Sequence, residues 1–275
     1  MRNAIKTQIY ILFHRKSTIF MYFLMFLLVF ANFIMNVIEY HGYDISGMYN
    51  STKISFLSDY TFLGYYFIQY YPFLVVIPAA FSYLSDVNSK EIVFMQTRID
   101  KRKYYISKLV ATFIVTFIIF TFPLILEQII NYIAFPIDAM GDPSNMDIFD
   151  PVYNEIIRSY LFATLWTKSR YLYAIFFIIL FGVVSGLLAS FALAVSMCGF
   201  FKFKILVFVP VYVLLYLVNT MGRLFKLDFN TDYYSYLTMF SATNKSEIAY
   251  LTFCIALGLL NILMVCIKMR KDELS

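Results

Sequence analysis

The sequence predicts an all-α membrane protein with six transmembrane helices, both termini cytosolic, an amphipathic interfacial helix at the N-terminus and a short cytosolic helix between spans two and three. Three observations carry that prediction. The 275 residues are 61% hydrophobic and only 14% charged, with a mean hydropathy of +0.72, where a soluble domain carries about a quarter charged residues. Six apolar runs are each long enough to cross a hydrocarbon core, which takes about 20 helical residues. The Lys and Arg residues gather in alternate connections, which sets the orientation.

Residues 1–17 place Ile5, Ile9, Leu12 and Phe13 at helical spacing among Lys6, Gln8, His14, Arg15 and Lys16. That is the pattern of a helix lying on a membrane surface. The apolar runs are 18–38, 61–84, 106–135, 171–200, 205–222 and 248–267. The third and fourth exceed the core thickness and are expected to tilt or extend beyond it. Arg2, Lys6, Arg15 and Lys16, the cations of loop 86–108, Lys202 and Lys204, and Lys268, Arg270 and Lys271 fall on one side. They outnumber Lys53, Arg158, Lys168, Arg170, Arg223, Lys226 and Lys245 on the other, which puts both ends of the chain in the cytosol. Most acids take the opposite side: Glu39, Asp44, Asp59, the four Asp and one Glu between 138 and 155, Asp228, Asp232 and Glu247.

The external connections are 39–60, 136–170 and 223–247. The second is the largest and opens on a turn-rich acidic stretch. The third is Tyr-rich, with Tyr233, Tyr234 and Tyr236, as in an interfacial belt. None has the size of a separate domain, so 1–275 reads as a single transmembrane domain. Richness in Ile, Phe, Tyr, Lys and Asn points to an AT-rich genome and to the plasma membrane of a low-GC bacterium.

Loop 86–108 is the longest polar interruption on the cationic side. It carries Lys90, Arg98, Lys101, Arg102, Lys103 and Lys108 against Asp86, Glu91 and Asp100. A helix-length piece, 89–99, contains apolar Ile92, Val93, Phe94 and Met95, which need cover from a partner or from headgroups. In the fourth span Gly182, Gly186, Ser190 and Ala194 recur every four residues, a strip that lets helix backbones approach closely. In the third, Glu127, Gln128 and Asn131 form a polar group after Pro123. An acid inside a span is costly and faces protein or a water-filled cavity, so these three are candidate lining of a substrate route, or a hydrogen-bonded contact to a neighbouring helix. Pro72 and Pro78 of the second span are expected to kink it.

The sequence offers no catalytic constellation. Cys198, Cys254 and Cys266 sit in apolar runs without metal spacing. His14 and His41 fall on opposite sides of the membrane. There is no Gly–Lys–Ser/Thr phosphate loop, so the chain has no such ATP site of its own and no resident cofactor is expected. No nucleic-acid partner is expected either.

Asp86, the turn Asn88-Ser89-Lys90, Glu91-Ile92, Arg98, Tyr104-Tyr105 and Lys108, in a loop between spans two and three of a six-span chain, resemble the type-2 ABC transporter permeases. The chain lacks that family's usual Gly before the glutamate, and the Pro often found between spans five and six. The resemblance implies that the loop is a coupling helix docking on a separate cytosolic ATPase dimer, which binds the ATP and Mg. It implies a second permease chain, identical or related, in the same bilayer. Lys90, Glu91, Phe94, Met95, Gln96 and Arg98 are then the docking surface, and the cargo is a peptide, bacteriocin, drug or lipid. The low charge of the spans favours an apolar or amphipathic cargo. The alternative is a self-sufficient secondary transporter or channel built on the Glu127 region.

Overall fold

The computed structural model describes residues 1–45, 48–98, 100–137, 159–199 and 203–274. Most of connection 136–170 lies outside them, as do Ile99 and Phe200. Regular structure among the described residues is helical throughout. In chain order the helices are α1 (Arg2–Phe13), α2 (Lys16–Glu39), α3 (Phe62–Leu74), α4 (Ser82–Asn88), α5 (Glu91–Arg98), α6 (Lys101–Ala134), α7 (Ala163–Lys168), α8 (Arg170–Met197), α9 (Val209–Leu224), α10 (Tyr233–Leu237) and α11 (Glu247–Leu274).

Among the described residues five stretches are long and apolar enough to cross a membrane: α2, α6, α8, Lys204–Leu224, which joins a short tight turn of helix to α9, and Glu247–Asp272 of α11. The sixth expected span, 61–84, is not one helix. It is α3 and α4 joined by the turns of 75–81. Pro72 and Pro78 have no N–H to give the carbonyls four residues back. The carbonyl of Leu74 is taken instead by the N–H of Ile77 at 3.2 Å, and that of Pro78 by the Thr18 hydroxyl of α2 at 2.6 Å. Val75, Val76, Ala79 and Ala80 are fully or almost fully buried. The irregular backbone is thus wrapped in protein, the condition for tolerating it at membrane depth.

α6 and α8 form the centre. Along them, Ala111, Val115, Ile119, Phe120 and Leu124 meet Ala174, Phe177, Ile178, Phe181 and Leu188 in one core. The small residues decide the approach. A Cβ on Gly182 would collide with the Thr121 hydroxyl, and one on Gly186 would sit 2.7 Å from the Phe113 ring. Lipid tails are as apolar as these side chains, so close packing of this kind does the work that water-driven burial does in soluble proteins. The glycine strip therefore serves a contact within the chain. Ser190 and Ala194 are buried further along α8.

α6 starts at Lys101, earlier than the expected 106, because Asp100 caps it: its carboxylate accepts the Arg102 N–H at 3.3 Å. With 34 residues it is about 51 Å long, well beyond a hydrocarbon core of about 30 Å. Ser169 caps α8 in the same way through the Leu172 N–H. α2, α9 and α11 flank this pair and turn apolar rows outward, with Phe23, Phe30, Tyr216 and Ile255 all more than half exposed.

Two connections differ from expectation. α1 does not lie free on a surface: Gln8 and Leu12 are fully buried, and the helix packs on α6. Residues 50–58 of the first external connection are buried rather than spread outside. They are pinned by Ser51 N–H to the Pro136 carbonyl at 2.9 Å and by Met239 N–H to the Leu57 carbonyl at 3.0 Å.

Candidate functional site

The helix expected within 89–99 is present as α5, Glu91–Arg98, and its faces are unequal. Ile92 and Met95 pack on a small second core of Tyr83, Tyr104, Tyr105, Leu193, Ala194, Met197 and Val265. The Gln8 amide of α1 lies 3.3 Å from the Met95 sulfur. Val93 and Phe94 point away and are 60% and 73% exposed, beside exposed Lys90 and Glu91. Met95, expected on the outer surface, is instead an inward anchor, because it lies one helical turn from Ile92 on the same face. The side chains of Gln96 and Arg98 fall outside the described residues.

α5 stands on a buried ionic base. Asp86, at the end of α4, accepts from the Lys108 ammonium and from the Arg15 guanidinium. It also accepts from the Tyr104 hydroxyl at 2.6 Å. The Asp86 and Lys108 side chains are fully buried and Arg15 keeps 18% of its surface. Such a pair is tolerable inside only when its spare lone pairs are filled, as Tyr104 and Arg15 do here. Alongside, Asp272 of α11 receives the Tyr105 hydroxyl and the Lys268 ammonium at 2.7 Å. Four separate stretches of chain, α1–α2, α4, α6 and α11, are therefore tied together directly beneath α5.

Sequence reasoning gave Asp86 and Lys108 as the ends of a loop and did not pair them. Arg15 reads there only as one of the N-terminal cations, and Asp272 is not singled out. The available signal was position: both loop-end charges abut apolar runs, where an unpartnered charge is expensive.

At the opposite end, Glu127 of α6 is 2% exposed. Its carboxylate accepts from the Asn32 amide of α2 at 2.8 Å and from the Phe56 N–H at 3.0 Å. Asn36 adds a bond to the Ile54 carbonyl at 2.8 Å. Glu127 thus ties α2 and α6 to the inward segment 50–58. Gln128 and Asn131 are buried, and their amide atoms have no hydrogen-bond partner among the described residues. An apolar cavity of about 90 Å³ lies apart from it, between α8, α9, α10 and α11, with Leu188, Leu215, Tyr236 and Phe253 among its walls.

Outside the spans, the Lys245 ammonium is enclosed without a hydrogen-bond partner among the described residues. Burial lowers its pKa from 10.5 to about 8, with Asp59 pulling weakly the other way. The Asp59 carboxylate is held by the Tyr234 hydroxyl at 2.7 Å, and burial together with that bond pushes the Tyr234 hydroxyl well up. Among the described residues no group of His, Cys, Asp and Glu has the makings of a metal centre.

No family profile, curated protein or solved structure matches this chain.

Proposed function

We propose that the chain is the permease subunit of an ABC transporter, moving an apolar or amphipathic molecule across a bacterial plasma membrane with ATP hydrolysed by a separate subunit. The observation that carries this reading is the construction of α5. A short helix with bare Phe94 and Val93 stands at the cationic end of the bundle on a base of buried charges. An exposed aromatic with flanking charges is the composition of a docking hot spot, and the rigid base is what a helix needs to pass force onward. In this reading ATP and Mg belong to the partner dimer, and a second permease chain completes the path.

The test is purification of the tagged chain from its native membrane with its companions identified by mass spectrometry. A stoichiometric ATP-binding subunit, lost in Phe94→Asp while the permease keeps its thermal stability, is the expected result. An intact chain with no ATPase, or undiminished co-purification in Phe94→Asp, overturns the proposal. A secondary transporter or channel is then the next reading. The observation favouring it is the buried Glu127 with unpartnered Gln128 and Asn131 beside it.

A further inference from the structure

The cavity between α8, α9, α10 and α11 has a buried floor and a half-buried rim. Val184 and Leu188 of α8, Leu215 of α9 and Leu237 of α10 are buried at its floor. Val218 of α9 and Ala249 of α11 are half-buried at its rim. No charged side chain among the described residues lines it. Its four hydroxyls are engaged elsewhere. Those of Thr231, Tyr233 and Tyr250 donate to the carbonyls of Asn219, Gln69 and Leu180 at 3.3, 3.3 and 3.5 Å. That of Tyr236 accepts the Ser246 N–H at 3.1 Å.

The walls are fixed independently of any occupant. The Tyr236 ring stacks on Tyr250, with centroids 5.9 Å apart. Connection 225–232, which brings Thr231 to the wall, is pinned by the Leu227 N–H on the Gly222 carbonyl at 3.1 Å and the Asn230 N–H on the Asn244 carbonyl at 2.8 Å. Thr231 lies so close to α9 that a Cβ on Gly222 would collide with its hydroxyl. The site is therefore preformed, as small-molecule pockets mostly are.

Polarity and volume then select the occupant. A buried water needs two to four polar partners, and these walls have none to spare. An ion would meet no opposite charge there. An apolar cavity of about 150 Å³ takes up benzene or xenon, so one of about 90 Å³ suits a smaller group. We propose that this cavity binds a short or branched alkyl group of an uncharged molecule, its apolar end on the floor of Val184, Leu188, Leu215 and Leu237 and the remainder leaving past Val218 and Ala249. The inference rests on the walls of the cavity and not on the ATPase reading.

The experiment is photolabelling of the purified full-length chain in a steroid detergent, which brings no straight alkyl tail of its own. The probe is a short branched alkanol carrying a diazirine, and the labelled peptides are read by mass spectrometry. At low probe concentration the label should concentrate on the walls of the cavity. Ala249→Phe and Val218→Phe each fill it from a different helix, so one decides if the other fails to fold. Each should need at least ten-fold more probe for the same labelling, while Ile255→Phe, on the 65% exposed face of α11, should label as the unmodified chain does. Retained labelling in phosphatidylcholine nanodiscs identifies a free molecule as the occupant, and loss of it there identifies an acyl chain of the bilayer; both carry the alkyl assignment. Label spread evenly along the outward rows of α2, α9 and α11, unchanged labelling in the filled variants, or equal labelling by an alkylammonium of the same length overturns the proposal.

Discussion

Replacing Asp86 by Asn removes the one acid that Lys108 and Arg15 share. Lys108 is fully buried, whereas Arg15 keeps 18% of its side-chain surface and can turn outward. The loss therefore falls chiefly on the ammonium, which cannot reach water and retains at best a neutral amide oxygen. Stripping one partner from a buried ion pair costs about 3–5 kcal/mol. Lys108→Met leaves Asp86 with two donors, Arg15 and the Tyr104 hydroxyl, so its cost should be that of a lost charged hydrogen bond, about 1.5–3 kcal/mol. The double variant Asp86→Leu/Lys108→Met removes both buried charges and should recover most of the Asp86→Asn loss, since apolar replacement of a whole pair is often neutral. Reversible unfolding in mixed micelles, read as ΔΔG for the three variants, gives the order. Asp86→Asn should be worst, Lys108→Met intermediate and the double variant mildest. A double variant as damaged as Asp86→Asn, or an Asp86→Asn within about 0.5 kcal/mol of the parent, the range of an ordinary surface change, would refute the reasoning.

Glu127→Ala should free segment 50–58, leaving the Phe56 N–H and the Asn32 amide without their acceptor; limited proteolysis should cut there faster. Glu127→Gln keeps an acceptor oxygen and should protect nearly as well as the parent, and equal cutting in all three chains would deny the tie. For Lys245, the folded-state pKa of about 8 lies below its ordinary 10.5. Between those values the unfolded chain binds more protons than the folded one, so this group makes stability rise with pH across that window. Lys245→Met lacks the term. Its Tm should exceed the parent's at pH 7, and the gap should close between about pH 8 and 10.5; parallel pH profiles would show that the ammonium is not confined.

Much of the fold was legible because membrane-length apolar runs are unambiguous: α2, α8 and α9 fall within four residues of the expected bounds, while α6 starts five residues earlier and α11 runs seven residues further. The second span shows the limit. Its composition is that of the others, but two prolines six positions apart, with Thr18 supplying a hydroxyl to the carbonyl of Pro78, turn one helix into two pieces. Propensity flags the prolines and cannot say that α2 will supply the missing donor. The glycine strip was legible as a contact, and its partner was not, since the partner's surface is set by Phe113 and Thr121 on another helix. The same holds for the ionic base. Arg15 and Asp86 are 71 residues apart, and nothing local relates them. The burial of segment 50–58 was illegible for the opposite reason: its own residues are polar, and what draws it inward is Glu127, Asn32 and Asn36 on two other helices.

The crossing of α6 and α8 has a mechanical reading. The Phe113 and Thr121 contacts with the two glycines straddle the middle of α6, about 12 Å apart at 1.5 Å per residue. The helix is also clamped toward both ends: Lys108 pairs with Asp86 on the Lys101 side, and Glu127 accepts from Asn32 and the Phe56 N–H on the Ala134 side. A rod clamped at its centre and toward both ends does not pivot alone, so a pull on α5 or on segment 50–58 is shared with α2, α4 and α8 as one body.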